Sequence, residues 1–389
     1  MTAILVVNAG SSSLKLRVLD DANEVTGRAD LPAPSGADDV TAIKAAIEPF
    51  GRVHAVGHRV VHGGDIFTGP VLIDDAVRRQ LGQLTDLAPL HQPKSLTALD
   101  AVNAVLPGVP AVACFDTAFH ATIPAAAATF ALPAAWRQRW PLRRFGFHGL
   151  SHAYVSRRAA ELLGAGSAGP GSAGPGSAGS SPAGSSWAGL RVVSCHLGAG
   201  ASLAAVRGGR SVDTTMSFTP LDGLVMATRS GSVDPGLVLW LQTHAGISAA
   251  EVGDALEKRS GLYGLAGTAD MREITSRAAA GDAQAELARE VYLHRLRGSV
   301  AAMAAAMDGL DALVFTGGVG ENSAEIRSRA MAGLGFLGVR GDAERNAAGH
   351  GDREIGAPDA AVRSLLIGAR EDIEIARQVR AVLSEGPGS

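Results

Sequence analysis

Cysteine is nearly absent from this chain. Cys114 and Cys195 are the only two in 389 residues. Each sits inside an apolar run, so both read as buried thiols in a reducing compartment, and a disulfide-built fold is excluded. Aromatic residues make up 4% of the chain, too few for a base-stacking platform. Excess charge of either sign is missing. The formal net charge is -3, which leaves no electrostatic case for nucleic acid or an anionic membrane as partner. No apolar run approaches the ~18 residues that a membrane-spanning helix needs. The opening Met1-Thr2-Ala3-Ile4-Leu5 carries no basic leader segment, so a cytoplasmic location is expected. Walker A, HExxH, CxxC and GxSxG patterns are absent. That argues against P-loop NTPases, zinc proteases, zinc modules and α/β-hydrolases.

What is present is a pair of Gly-rich segments, each directly after a short apolar run. Ile4-Leu5-Val6-Val7 reads as a buried strand and leads into Asn8-Ala9-Gly10-Ser11-Ser12-Ser13-Leu14-Lys15. Alternation then resumes, so this is a hairpin with a tight polar tip. Gly10 permits close approach of backbone to ligand. The hydroxyls of Ser11 and Ser13, the loop N–H groups and Lys15 can meet phosphate oxygens. Asn8 offers an oxygen to a metal or its water shell. The second segment is Phe315-Thr316-Gly317-Gly318-Val319-Gly320-Glu321-Asn322. Two phosphate-type loops this far apart point to two lobes closing on one nucleotide, as the chain length also favours.

Strands are expected at 3–7, 14–19, 53–61, 111–115, 190–195, 201–206 and 312–315. Helices are expected at 72–84, 94–106, 153–163, 233–244, 248–257, 282–308 and 371–384, with Pro141 to His152 as a loop. The helix at 153–163 places Val155, Ala159, Leu162 and Leu163 on one side. Strand, Gly turn, strand recurs near the start of each half, a hint of duplication. Residues 164–189 differ in kind. Gly-Ser-Ala-Gly-Pro repeats have no apolar face, and they read as a disordered surface insertion.

Candidate chemistry lies at strand ends. Arg59 lies at the end of an apolar strand, just before Gly63-Gly64, so a partly buried guanidinium with an anionic partner is expected. Arg229 precedes a second turn, and His148 lies in Phe145-Gly146-Phe147-His148-Gly149. Asp116 follows the strand at 111–115, where open α/β sheets place ligand contacts. It could equally cap a helix. Asp270 has the same two readings, ribose contact or cap, and Glu321-Asn322 could cap a following helix.

Taken together, these segments resemble the acetokinase group, within the superfamily that also holds sugar kinases, heat-shock chaperones and actin. Seven motifs occur in order: Asn-Ala-Gly-Ser-Ser-Ser-Leu-Lys from 8, Gly-His-Arg-Val-Val-His-Gly-Gly from 57, Ala-Pro-Leu-His-Gln-Pro from 88, Phe-Asp-Thr-Ala-Phe-His from 115, Phe-Gly-Phe-His-Gly from 145, Thr-Arg-Ser-Gly from 228, and Phe-Thr-Gly-Gly-Val-Gly-Glu-Asn from 315. The resemblance implies an α/β fold of two ribonuclease H-like lobes, a duplicated βββαβαβα core with the active site in the interlobe cleft. It divides the chain into 1–120 plus 373–389 and 121–372. It implies reversible phosphorylation of acetate by ATP, giving acetyl phosphate and ADP, with Mg²⁺ (or Mn²⁺ in its place), in a homodimer.

By motif position, the resemblance makes Asn8 and Glu371 metal-linked. It assigns ATP to Lys15, Ser11 and Ser13, to His196, Leu197, Gly198, Ala199 and Gly200, to Asp270, Met271 and Arg272, and to Gly318, Val319, Gly320, Glu321 and Asn322. Arg59 would meet the acetate carboxylate, with Val61, Leu90, Phe147 and Pro220 around its methyl group. Asp116, His148 and Arg229 would be catalytic with Arg59. An ionised carboxylate needs no general base. It needs relief from repulsion by the γ-phosphate, which Arg59, Arg229, His148 and the metal would supply as positive potential. Asp116 is then expected to orient the metal shell or an arginine.

Two departures from the family pattern stand out. Ala199 occupies the place of an Asn in His-Leu-Gly-Asn-Gly, and Ala369-Arg370 replaces Thr-Asn or Thr-Asp before Glu371. Weaker nucleotide binding or slower transfer is expected from the first. The alternatives are a propionate or butyrate kinase of the same family, and an actin- or chaperone-like ATPase switch. A sugar kinase is a third, for which Asp116 would serve as a base.

Overall fold

The computed structural model describes residues 2–10, 13–33, 39–87, 92–164 and 187–385. Ser11, Leu90 and most of the 164–189 insertion lie outside them.

The first apolar run forms β1 (Ile4–Ala9). It pairs antiparallel with β2 (Ser13–Leu19), which pairs antiparallel with β3 (Val25–Pro32). β4 (Ala55–Val60) and β6 (Ala111–Phe115) continue the sheet parallel to β1, and the two-residue β5 (Val71–Leu72) closes its edge. The spatial order is β3-β2-β1-β4-β6-β5. β1 is apolar on successive residues because both faces are covered. Leu5 and Val7 pack with Ile43, Ile47 and Val102 from two helices on one side. Ile4 and Val6 pack with Leu150, Ile375 and Val379 on the other.

The second half repeats this plan. β7 (Arg191–Leu197), β8 (Ala201–Arg207) and β9 (Arg210–Thr214) form an antiparallel meander. β10 (Ala312–Thr316) and β12 (Arg363–Leu366) add in parallel, with β11 (Arg353–Glu354) at the edge. The order β11-β12-β10-β7-β8-β9 matches the first sheet element for element. Val193 and Cys195 pack with Leu293, Leu296 and Val300 of the helix Ala283–Ala305. Val192, Ala204 and Val314 pack with Val155 and Ala159 of the helix Gly149–Leu162. Both cysteines are free and buried.

The structure adds β3, β9, β12 and the helix Asp39–Ile47, for which the sequence reading had no element, and departs from that reading elsewhere. The helix at 153 begins at Gly149, directly after His148. Its first turn carries Ser151 and His152, both buried and hydrogen-bonded to β7 and β8. Polar residues facing inward hid the helical period. Its buried stripe is Val155, Ala159 and Ala160, whereas Leu162 is 39% exposed. Gly317–Asn322 is a short helix rather than an open loop, and Ser323, not Glu321 or Asn322, caps the helix that follows.

The C-terminal helix Glu371–Glu385 returns to β1 and β4 of the first sheet and also touches the helix Gly149–Leu162. This return brings residue 371 beside residue 8. Among the described residues no helix is long and apolar enough to cross a membrane.

Candidate active site

Parallel pairing of β1, β4 and β6 brings Asn8, Arg59 and Asp116 to neighbouring strand ends. Arg59 donates from Nε to Asp116 Oδ1 at 3.0 Å and from Nη2 to Oδ2 at 2.5 Å. Its Nη1 donates to Asn8 Oδ1 at 3.1 Å. Asn8 Nδ2 donates in turn to Glu371 Oε2 at 3.1 Å, and that carboxylate lies 3.8 Å from Arg59 Nε. Burial disfavours the charge on Arg59, but Asp116 and Glu371 outweigh it and raise its pKa. For Asp116 burial is the largest influence and pushes the carboxyl up, with Arg59 pulling it back. Each charge in the pair therefore depends on the other. Asp116 is not a helix cap. The buried guanidinium expected at Arg59 is found with its anionic partner.

A second group lies around Gly200, in the turn between β7 and β8. A Cβ on Gly200 would sit 3.4 Å from both His148 Nε2 and Arg229 Nη1. Arg229 lies 3.6 Å from Glu257 and donates to the Pro220 carbonyl at 3.5 Å. His148 adopts a left-handed backbone conformation, φ 55°, at the start of its helix. That helix is pressed onto Asp116. Gly149 N donates to the Asp116 carbonyl at 2.8 Å, and a Cβ on Gly149 would come within 2.2 Å of that oxygen. Arg59, Asp116 and His148 are thereby tied to one junction.

His148 corrects one expectation. Burial, followed by His196, Arg59, His152 and Arg229, holds its pKa well below 6.5. It is a neutral hydrogen-bonding group, not a third cation. Its ring stacks on His196 with centroids 4.4 Å apart.

Of the apolar residues expected around a methyl group, Leu90 lies outside the described residues. Val61 and Phe147 belong to one buried cluster with Met226, and Pro220 adjoins Arg229.

The Gly-rich segments of the second lobe meet at the ends of β7 and β10. A Cβ on Gly198 would lie 3.8 Å from Gly318 N, and one on Gly317 would lie 2.8 Å from the Leu197 carbonyl. Glu321 Oε1 accepts from the backbone N–H groups of Gly317 and Ala369, each at 3.0 Å, and Asn322 bonds the Gly318 carbonyl. Glu321 thus braces the segment against the stretch leading to Glu371. Arg327, buried below, donates to the Gly320 and Glu321 carbonyls. Burial holds its pKa down at about 10.

In the first lobe, Ser13 opens β2, its carbonyl accepting from Gly10 N at 2.8 Å, and Lys15 is exposed opposite Asn8. Asp270 caps its helix through Arg272 N and pairs with the Arg272 side chain. Hydrogen bonds from the side chain and backbone of Arg272 hold Asp270 at about 2. Met271 is a core residue, so its side chain faces away from solvent.

Sequence reasoning missed Glu257, Arg327 and the buried Ser151, His152, Ser194 and Ser202 around His148 and His196. The one available signal was the density of His and Ser in 148–152 and 194–202.

Asn8 Oδ1, Glu371 and Asp116 form a cluster of hard oxygen donors. Among the described residues no group of three His, Cys, Asp or Glu is arranged to hold a metal alone. A donor set of this kind suits Mg²⁺, which takes one or two carboxylates and draws its other ligands from water and substrate phosphates.

Comparison with known proteins shows the family of the chain. The model of the acetokinase family matches residues 35–169 and 182–377. An acetate kinase from Leifsonia xyli subsp. xyli is 42% identical, covering 99% of this chain and 100% of the relative. The acetate kinase of Streptomyces coelicolor is 42% identical over 99% of this chain and 98% of its own length. Among solved structures, Porphyromonas gingivalis acetate kinase superposes with a TM-score of 0.86 at 33% identity, covering 98% of this chain and 100% of its own. A propionate kinase from Francisella tularensis subsp. tularensis reaches the same TM-score at 34% identity, with the same coverage.

Proposed function

This chain belongs to the acetokinase family and transfers a phosphoryl group from ATP to acetate, and we propose that the carboxylate attacks the γ-phosphorus directly and in line. What supports this reading is the approach of His148 and Arg229 to Gly200 and the tie of Arg59, through Asp116, to the start of the helix that follows His148, with Val61 and Phe147 buried in one cluster.

Acetate is ionised at neutral pH, so no proton has to be removed from the nucleophile. The barrier lies in bringing an anion to a polyanion. Arg59 takes the carboxylate, and Asp116 holds the guanidinium plane so that its orientation does not change during reaction. Arg229, steadied by Glu257 and the Pro220 carbonyl, faces the equatorial phosphoryl oxygens. His148 adds a neutral donor there. Fixed donors aimed at developing charge are the main source of rate in such transfers. The backbone N–H groups of 196–200 and 317–322, with Lys15 and Ser13, cradle the ATP phosphates. Asp270 to Arg272 lie toward the nucleoside. Mg²⁺, or Mn²⁺ in its place, would be held by Asn8 and Glu371 and would neutralise phosphate charge.

We further propose a homodimer. Among the described residues nothing buries any residue of the helix Pro235–Thr243, and Leu237, Leu239 and Trp240 are 48%, 61% and 52% exposed. A surface this apolar suits a second copy. Sedimentation velocity of the purified chain checks it.

A longer acid is the second reading, favoured by the equal similarity to a propionate kinase structure. One methylene changes discrimination by only ~1–3 kcal/mol. Both readings are tested by trapping acyl phosphate with hydroxylamine in the presence of ATP, Mg²⁺ and each of acetate, propionate and butyrate. Acetate should give the highest kcat/KM. A higher value for propionate would move the assignment to the longer acid. ATP hydrolysis without acid and without hydroxamate would replace both readings with a nucleotide-driven switch.

A further inference from the structure

Beneath the proposed catalytic groups runs an unbroken line of hydrogen bonds. Ser194 and His196 lie two apart on β7, and Ser202 is the cross-strand partner of His196 on β8. Residues on this face meet the first turn of the helix Gly149–Leu162, which supplies His152. Ser194 Oγ is 2.9 Å from His152 Nδ1. His152 Nε2 is 2.8 Å from Ser202 Oγ, and Ser202 Oγ is 2.9 Å from His148 Nδ1. Ser194, His152 and Ser202 are fully buried.

We propose that Ser194, His152 and Ser202 are positioning residues that lock His148 in its Nε2–H tautomer, so that it presents a hydrogen, not a lone pair, to the transferring phosphoryl group. The proposal rests on the reading of His148 as a donor to that group.

Counting hydrogens along the line decides the tautomer. A neutral imidazole has one N–H, and a serine hydroxyl donates once. Burial beside other imidazoles, and for His148 beside Arg59 and Arg229 as well, disfavours the charged form of both His148 and His152. Three orderings then make all three bonds; the one in which Ser202 accepts from both imidazoles leaves its own hydroxyl hydrogen without an acceptor among the described residues, and two others remain. In the first, Ser194 donates to His152 Nδ1, His152 Nε2–H donates to Ser202, and Ser202 donates to His148 Nδ1. His148 must then carry its hydrogen on Nε2.

In the second ordering every bond reverses, and Ser194 has to donate elsewhere. Among the described residues the one hydrogen-bond partner of Ser194 Oγ is His152. Reversal therefore leaves a buried hydroxyl hydrogen without an acceptor, which is unfavourable. It would also turn an Nε2 lone pair toward an anionic phosphoryl oxygen. Both effects favour the first ordering. His148 Nε2 lies beside Gly200 and Arg229 Nη1, where an Nε2–H can donate to the same phosphoryl group.

The test reads the tautomer on the resting full-length protein, without substrate. Histidine-labelled protein is examined by long-range proton–nitrogen NMR, and His148 is assigned by the signals lost in His148→Gln. Wild type should show His148 as Nε2–H. Ser202→Ala should shift it toward Nδ1–H and lower kcat about tenfold, less than deleting such a donor outright, with KM for acetate and ATP within twofold. Ser194→Ala, which touches neither His148 nor substrate, should move the same signals the same way with a smaller loss of kcat. An Nδ1–H or doubly protonated His148 in wild type overturns the proposal. So does an unchanged tautomer in both variants, even if kcat falls, because the hydroxyls would then serve only the fold. Absence of acyl phosphate formation by wild type would instead remove the functional reading, and the tautomer result would still stand.

Discussion

Asp116 accepts from both Nε and Nη2 of Arg59, at 3.0 and 2.5 Å, so the guanidinium plane is fixed by a carboxylate that is itself sealed from water. Removing half of a buried pair leaves the other half uncompensated, at a cost of about 3–5 kcal/mol. Asp116→Asn keeps one acceptor but loses the charge. It should lower kcat by at least about a hundredfold and leave KM for ATP little changed. Near-normal turnover in steady-state kinetics would show that Asp116 does not hold Arg59 for catalysis.

Gly200 leaves room for the two groups that face it. Gly200→Ala puts a methyl 3.3 Å from His148 Cε1 and 3.4 Å from Arg229 Nη1. His148 must give way by a few tenths of an ångström against a methyl that also touches Arg229, so kcat should fall about tenfold, since donors of this kind lose effect when misaimed. Thermal unfolding should move little, because the turn does not require a positive φ at Gly200. Unchanged kcat would mean that His148 and Arg229 need not hold these positions.

Ala199 is exposed at the tip of the turn, and its carbonyl accepts from Ala227 N at 3.1 Å. An asparagine fits there without displacing the backbone. Ala199→Asn restores a donor, and one charge-assisted hydrogen bond contributes about 1.5–3 kcal/mol. KM for ATP should fall or kcat rise by about tenfold. No change in either would make the residue indifferent.

Stability should weaken as the solution is acidified. Burial is the main cause holding His58, His62 and His120 each at about 4, against 6.5 for the free side chain. The folded form is thus the weaker proton binder. Its stability is complete above about pH 6.5 and is lost as pH falls toward 4. Each of these histidines contributes at most about 1.4 kcal/mol per pH unit across that window. Urea midpoints measured from neutrality to about pH 4.5 check this. A flat profile would contradict the burial of these rings.

Much of this was legible in the sequence because burial on both faces writes itself as an unbroken apolar run. β1, β6 and β10 are such strands, and the residues that end them, Asn8, Asp116 and Thr316, mark the cleft. The partner expected for Arg59 was found at Asp116. The start of the helix at Gly149 was not legible. Ser151 and His152 face inward to bond serines on β7 and β8, and a polar residue satisfied in the core leaves no periodic trace. The charge of His148 was misread for a related reason, since protonation depends on neighbours that only folding assembles. Glu257 reaches Arg229 across 28 residues, a pairing no local pattern encodes.

The central claim is that an oriented guanidinium, not merely a positive charge, receives the carboxylate at residue 59. Arg59→Lys tests it most directly, because lysine keeps the charge but cannot span both Asp116 oxygens. Acyl phosphate formation measured across acetate concentrations should show kcat/KM for acetate reduced by about a hundredfold or more, with KM for ATP nearly unchanged. Wild-type acetate kinetics in Arg59→Lys, or a loss confined to ATP, would contradict the account.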